Sequence, residues 1–129
     1  MGLGAFTKVV GDAGVTVAKH SPIPITTGNS YSASAALWAA ADAMRRMALI
    51  DIPIGKKKIK AKSMVIGATG AIGSVSSKLL SMVFDEVILC GRNTKKLNSL
   101  KKSIYLNSPH TKIITTTDSS KYLSEADII

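Results

Sequence analysis

The run Ser63-Met64-Val65-Ile66 leads directly into Gly67-Ala68-Thr69-Gly70-Ala71-Ile72-Gly73, and helical patterning follows from Ala71 onward. Glycines at every third position between an apolar strand and a helix fit a turn that cradles a dinucleotide. Gly67 makes the tight turn off the strand, Gly70 lets backbone approach a pyrophosphate, and Gly73 lets helix and strand pack closely. The pyrophosphate is then expected at the amino end of the helix, where unpaired N–H groups and the positive dipole end attract anions. Gly67, Ala68, Thr69, Gly70, Ala71, Ile72 and Gly73 are therefore candidate cofactor-binding positions.

The flanking pattern supports that placement. Apolar period switches from strand to helix repeatedly: a strand to Ile66, a helix from about Ala71 to Val83, a strand from Glu86 to Cys90, and a helix from Thr94 to about Ile104. A strand from Lys112 to Thr116 and a short helix from Ser119 to Glu125 complete the series. Strands alternating with helices predict an α/β, Rossmann-type parallel sheet with crossover helices. Ile128-Ile129, after Ala126-Asp127, stands where a fourth buried strand begins, so the sheet is expected to be truncated there.

The upstream part reads differently. Val15, Val17 and Ala18 predict a short strand, closed by Ser21-Pro22-Ile23-Pro24. Tyr31 to Leu49 is dense in Ala, Met and Leu without Gly or Pro and predicts a long helix, with Asn29 or Ser30 as its cap. Ala33, Ala36, Ala40 and Ala43 leave one face nearly bare, suited to close packing. Pro53 and Gly55 follow, and the boundary falls near Ile54. Residues 1–54 are expected to belong to a neighbouring substrate domain, and residues 55–129 to an incomplete NADP-binding domain.

The second strand's carboxyl end decides the cofactor. An NAD site needs an acid there for the ribose 2′-OH. The chain reads Cys90-Gly91-Arg92-Asn93-Thr94-Lys95, with Arg92 at the acid's usual place, while Asp85 and Glu86 lie at the strand's other end. A guanidinium pairs bidentately with a 2′-phosphate, so NADP is favoured. Asn93, Thr94 and Lys95 add donors, although Thr94 also suits a helix cap. Lys96, Lys101 and Lys102, like the run Lys56 to Lys62, read as solvated faces.

Net charge of +9 favours an anionic partner, whether nucleotide phosphates, an acidic carrier protein or nucleic acid. The stretch Ala33 to Ala41 is far short of the roughly 20 apolar residues of a membrane span. The amino end lacks a charged region and a cleavage site, and a cytoplasmic chain is expected. Cys90 is the single cysteine and His20 and His110 stand alone, so neither a disulfide, a zinc site nor a catalytic nucleophile is read here.

Gly2-Leu3-Gly4-Ala5-Phe6-Thr7, Thr26-Thr27-Gly28-Asn29-Ser30 and the spacing to Gly67–Gly73 resemble the long-chain acyl-(acyl-carrier-protein) reductases. Those enzymes use NADPH to reduce a fatty acyl thioester to a fatty aldehyde, and their cofactor domain is similar to that of shikimate dehydrogenases. The Thr-Thr-Gly-Asn turn likewise resembles the shikimate-type Asn-Thr-Asp-Gly turn. The resemblance implies NADPH held by Gly67, Gly70, Gly73 and Arg92, with Thr27, Gly28 and Asn29 near nicotinamide or substrate. It places the family's acyl-accepting cysteine beyond the carboxyl end of this sequence, so no catalytic residue is assigned within it. A shikimate-type dehydrogenase is the alternative enzyme, and a non-catalytic NADP-binding or nucleic-acid-binding module the alternative of another class. Short-chain and NmrA-like reductases share Gly-Ala-Thr-Gly but place it near the chain start.

Overall fold

The computed structural model describes residues 2–3, 12, 14–49 and 58–129. The fold is α/β and Rossmann-like. Helices α1 (Val15–His20) and α2 (Asn29–Arg46) precede β1 (Ile59–Ile66), α3 (Ala71–Val83), β2 (Phe84–Cys90), α4 (Thr94–Tyr105) and β3 (Lys112–Thr116), and a 3-10 turn spans Ser120–Tyr122. The strands form an open sheet in the order β1-β2-β3, with both pairings parallel.

Register sorts the strand residues into two faces. On one face Ile59, Val65, Val87, Leu89 and Ile113 pack with Leu80 of α3 and with Leu97, Leu100 and Ile104 of α4. Leu37 of α2 joins this core from outside. The other face is layered: Met64, Ile88 and Ile114 share a row, covered by Tyr122 and Ala126. Below them lies the row Lys62, Glu86 and Lys112, in which Lys112 pairs with Glu86 at 2.9 Å. Above them, at the carboxyl ends, stand Ile66, Cys90 and Thr116.

After β3 the chain crosses this second face and reaches β1 on the side that β2 leaves free. Ile128 forms a parallel bridge with Ser63, and the Met64 N–H donates to the Ile128 carbonyl at 2.8 Å. The Asp127 carboxylate accepts from the Lys62 N–H at 2.7 Å and fixes the approach. Sheet order therefore reverses at β1, which is where ligands bind in open α/β sheets.

Several expectations are corrected. Val15 to Ala18 form a helix, not a strand: Gly14 caps it in the left-handed region, and the Asp12 carboxylate just ahead accepts from the Thr16 N–H at 2.9 Å and the Thr16 hydroxyl at 2.8 Å. These local bonds outweigh the β preference of two valines. They also hold the Asp12 carboxyl below its usual range, chiefly through the Thr16 N–H. The cap of α2 is neither Asn29 nor Ser30 but Gly28, in the left-handed region at φ 74°. The expected helix at Ser119 to Glu125 is only the single turn Ser120–Tyr122. The boundary near Ile54 lies outside the described residues.

The expected solvated run of lysines is also partly engaged. Lys58 donates to the Ser81 carbonyl in the last turn of α3 at 2.9 Å and to the Thr111 hydroxyl, which itself donates to Ser81 at 2.6 Å. A cation at the carboxyl end of a helix meets the negative end of its dipole. Lys62 pairs with Glu125 at 2.9 Å, which raises the pKa of its ammonium.

Helix α2 ends before Leu49 for a visible reason. The Leu49 N–H reaches back to the Met44 carbonyl at 3.0 Å and the Ala48 N–H to Arg45 at 3.1 Å, with Ala48 at φ 53°. This is a Schellman closure with alanine where glycine is usual. Ala48→Gly relieves the left-handed strain and is expected to stabilise the fold by about 0.5–1 kcal/mol, read as a raised denaturation midpoint.

Candidate dinucleotide site

The β1–α3 connection is built by backbone. Gly67 has φ 78°, a conformation side chains disfavour, and its N–H and that of Ala68 both donate to the Cys90 carbonyl, at 3.0 and 2.9 Å. The turn is thereby anchored to the end of β2. Gly70 folds back to donate to the Gly67 carbonyl at 2.9 Å and then opens α3 as its N-cap. At Gly73 a Cβ would strike the Gly67 carbonyl oxygen and come within 2.9 Å of its carbon and 3.1 Å of Ala68 Cα. Helix and turn are in backbone contact at that point.

The first helical bond of α3 runs from Ser74 to Gly70, at 2.9 Å, and no side chain caps the helix. The N–H groups of Ala71, Ile72 and Gly73 thus lie at an uncapped, positive helix end with no acid in its first turn.

This turn opens on a cleft of about 550 Å³ at the carboxyl ends of the strands. Gly67, Thr69 and Gly70 line one side, and Arg92, Asn93 and Lys96 line the other. Ile66, Cys90, Gly91 and Thr117 complete the lining. Among the described residues, no acid lines it.

The second side belongs to the start of α4. Asn93 is its cap: the Asn93 side-chain oxygen accepts from the Lys96 N–H at 3.0 Å. Thr94, expected as the cap, is instead the first helical residue. The reason is one of geometry, since Asn93 has the extended backbone, φ −117° and ψ 103°, that a cap requires. With its oxygen committed, Asn93 keeps its amide N–H groups as donors. Lys95 and Lys96 then occupy the first turn of a helix whose amino end already carries positive charge, an arrangement that is unfavourable until an anion joins it.

The candidate positions divide accordingly. Gly67, Thr69, Gly70, Arg92 and Asn93 meet in one cleft; Ala68 is fully buried beneath it. Ala71, Ile72 and Gly73 offer backbone from α3, while Thr94 and Lys95 are not part of the lining. Thr27, Gly28 and Asn29 lie at the start of α2 and do not line the cleft either. The two upstream motifs do meet each other: Gly2 bridges Thr26, and the Leu3 N–H donates to the Thr26 carbonyl at 2.7 Å. Residues 4–7 lie outside the described residues. Lys96 and Thr117 were not read from the sequence as site residues. Thr117 follows the carboxyl end of β3, and position alone would have found it.

Cys90 sits on the cleft floor at 5% exposure. Burial, and secondarily the charge of Asp118, raise its thiol pKa, so it remains protonated and poorly nucleophilic. Asp118 is itself held as carboxylate by the Ser120 hydroxyl and N–H, at 2.7 and 2.9 Å.

The residues present fit an NADP dinucleotide. A glycine turn and free helix N–H groups suit a pyrophosphate, and a guanidinium, an ammonium and an amide donor suit a further phosphate across the cleft. Among the described residues, no helix is long and apolar enough to cross a membrane.

No protein-family model matches the chain. Among curated proteins, the chain is similar to the aminotransferase PigE of Serratia sp. (strain ATCC 39006), at 34% identity over 80 residues. The match covers 62% of this chain and 9% of that protein.

Proposed function

We propose that the chain binds NADP(H) and supplies the cofactor-binding part of an oxidoreductase that reduces a fatty acyl thioester, carried on an acyl carrier protein, to an aldehyde. The observation that carries the cofactor reading is the cleft itself: Arg92, Asn93 and Lys96 face the Gly67–Gly70 turn with no acid among them. When bound, NADPH supplies the hydride. The chain's residues hold and orient: the N–H groups opening α3 take the pyrophosphate, and Arg92 with Lys96 takes the 2′-phosphate.

The acyl thioester reading is supported by the upstream motifs, which the Gly2–Thr26 bridge keeps side by side. Cys90, buried and with a raised pKa, is not suited to accept an acyl group, and that role falls to a residue outside this sequence. The likeness to an aminotransferase involves 9% of that protein and does not carry its activity here.

The test is aldehyde formation from an acyl-carrier-protein thioester and NADPH by the gene product that carries this chain. Aldehyde is expected. Activity on a small hydroxy acid without aldehyde would replace this reading with a shikimate-type dehydrogenase.

A further inference from the structure

The cleft has a third wall that the phosphates leave unused. The Gly91 N–H donates to the Thr116 carbonyl at 3.1 Å, which ties the end of β3 to the end of β2. Arg92 and Thr117 each stand one residue past that joint, and both line the cleft. The loop that carries Thr117 is braced by its neighbours. The Thr116 hydroxyl accepts from the Asp118 N–H at 3.0 Å and donates to the Asp118 carbonyl at 2.9 Å. The Asp118 carboxylate in turn accepts from the Ser120 N–H and hydroxyl. Thr117 itself is exposed, and its hydroxyl has no partner among the described residues.

With the pyrophosphate at the start of α3 and the 2′-phosphate at Arg92 and Lys96, the adenine of NADP(H) is still without a seat. The base hangs from the ribose carbon next to the one that bears the 2′-phosphate, so it lies on the Arg92 side of the cleft. The next strand end there is that of β3, about 5 Å beyond β2. Adenine presents a 6-amino donor, which needs an acceptor. Arg92 and Lys96 have none to offer, and the Asn93 side-chain oxygen already accepts from the Lys96 N–H. Two hydroxyls stand on the walls: Thr69 belongs to the turn that takes the pyrophosphate, and Thr117 follows β3. Cys90, buried and protonated, gives the floor between them the apolar character that suits a purine ring.

We propose that Thr117 positions the adenine of NADP(H), its hydroxyl accepting from the 6-amino group while the ring rests over Cys90. This role rests on the NADP(H) reading of the cleft. It gives the end of β3 a task distinct from the phosphate contacts of α3 and α4: a hydroxyl on a braced loop orients the base, and through it the ribose whose 2′-phosphate meets Arg92. Thr117 touches no reacting atom and is a positioning residue.

The test joins NMR of the isotope-labelled chain with NADP⁺ to calorimetry of two Thr117 variants. Nuclear Overhauser contacts from adenine H2 or H8 to the Thr117 methyl are expected. Thr117→Val keeps the shape and removes the hydroxyl; it should weaken NADP⁺ and adenosine 2′,5′-bisphosphate each about fivefold, the worth of one hydrogen bond, and leave inorganic pyrophosphate unchanged. Thr117→Ser keeps the hydroxyl and should bind NADP⁺ within about twofold of the unaltered chain. Adenine contacts elsewhere with none to Thr117, or unchanged NADP⁺ affinity in Thr117→Val, would overturn the proposal. In that event a preference for NADP⁺ over NAD⁺ that Arg92→Asp removes would leave the cofactor reading standing. Weakened pyrophosphate binding in Thr117→Val would also overturn the proposal, because the variant would then act through the shape of the cleft. Failure of the unaltered chain to bind NADP⁺ would overturn both.

Discussion

Gly73→Ala is expected to destabilise the fold by about 3 kcal/mol and to lower the melting temperature by roughly 10 °C or more. The added methyl has no room: it strikes the Gly67 carbonyl oxygen and approaches the Gly67 carbon and the Ala68 Cα within 2.9 and 3.1 Å. All three are backbone, and the turn cannot retreat because the Gly67 and Ala68 N–H groups are fixed to Cys90. Relief must come from lifting α3 off β1, which opens the core at Leu80. The neighbouring glycines provide the contrast. Gly67→Ala meets no atom within 4 Å and suffers only its φ of 78°, a cost of about 1 kcal/mol. Gly70→Ala has an ordinary φ of −75° and a tight 3.2 Å approach to the Gly67 oxygen, so it should fold with little loss while placing a methyl at the cleft. Thermal melts of the three variants check the ranking. Equal stability of Gly73→Ala and Gly70→Ala would remove the backbone-contact account of this turn.

Arg92→Asp is expected to weaken NADPH binding by about two orders of magnitude, with NADH changed by no more than a few-fold. The guanidinium is an exposed, planar fork just past the end of β2 that lines the cleft, and on the proposed reading its loss removes a charge-assisted pair with the 2′-phosphate. The introduced carboxylate then repels that phosphate, while in NADH it can accept from the ribose 2′-OH instead. Lys96 on the same wall limits the loss, so Arg92→Asp with Lys96→Glu should exceed either alone. Fluorescence titration with both cofactors measures this. Equal weakening of NADPH and NADH would remove the 2′-phosphate assignment from Arg92.

The core of the fold was readable because its signals are local. The strands ending at Ile66, Cys90 and Thr116 are apolar runs closed by turn residues, and α3 is delimited by Gly70 before it and a return to strand pattern after it. Where reading failed, the deciding partner lay elsewhere. Val15 and Val17 alternate as a strand would, but the Asp12 carboxylate binding Thr16 set the helix. Lys58 and Lys62 sat in a run of charges, yet their partners are 23 to 63 residues away, at Ser81, Thr111 and Glu125. Lys96 was read with Lys101 and Lys102 as one solvated face. Helical phase separates them: Lys96 turns to the cleft, while Lys102 points away from Leu97, Leu100 and Ile104. The cap of α4 turned on one residue, because Asn93 and Thr94 are both good caps by type and only the backbone angles choose.

On the proposed reading, the cleft between the Gly67–Gly70 turn and the start of α4 takes a dinucleotide bearing a 2′-phosphate. Calorimetric titration of the chain with NADP⁺ and with NAD⁺, at low and moderate salt, tests it most directly. NADP⁺ is expected to bind about tenfold or more tightly and to lose more affinity to salt, because one further phosphate would meet Arg92 and Lys96. Equal affinity for the two, or no binding of either, would contradict it.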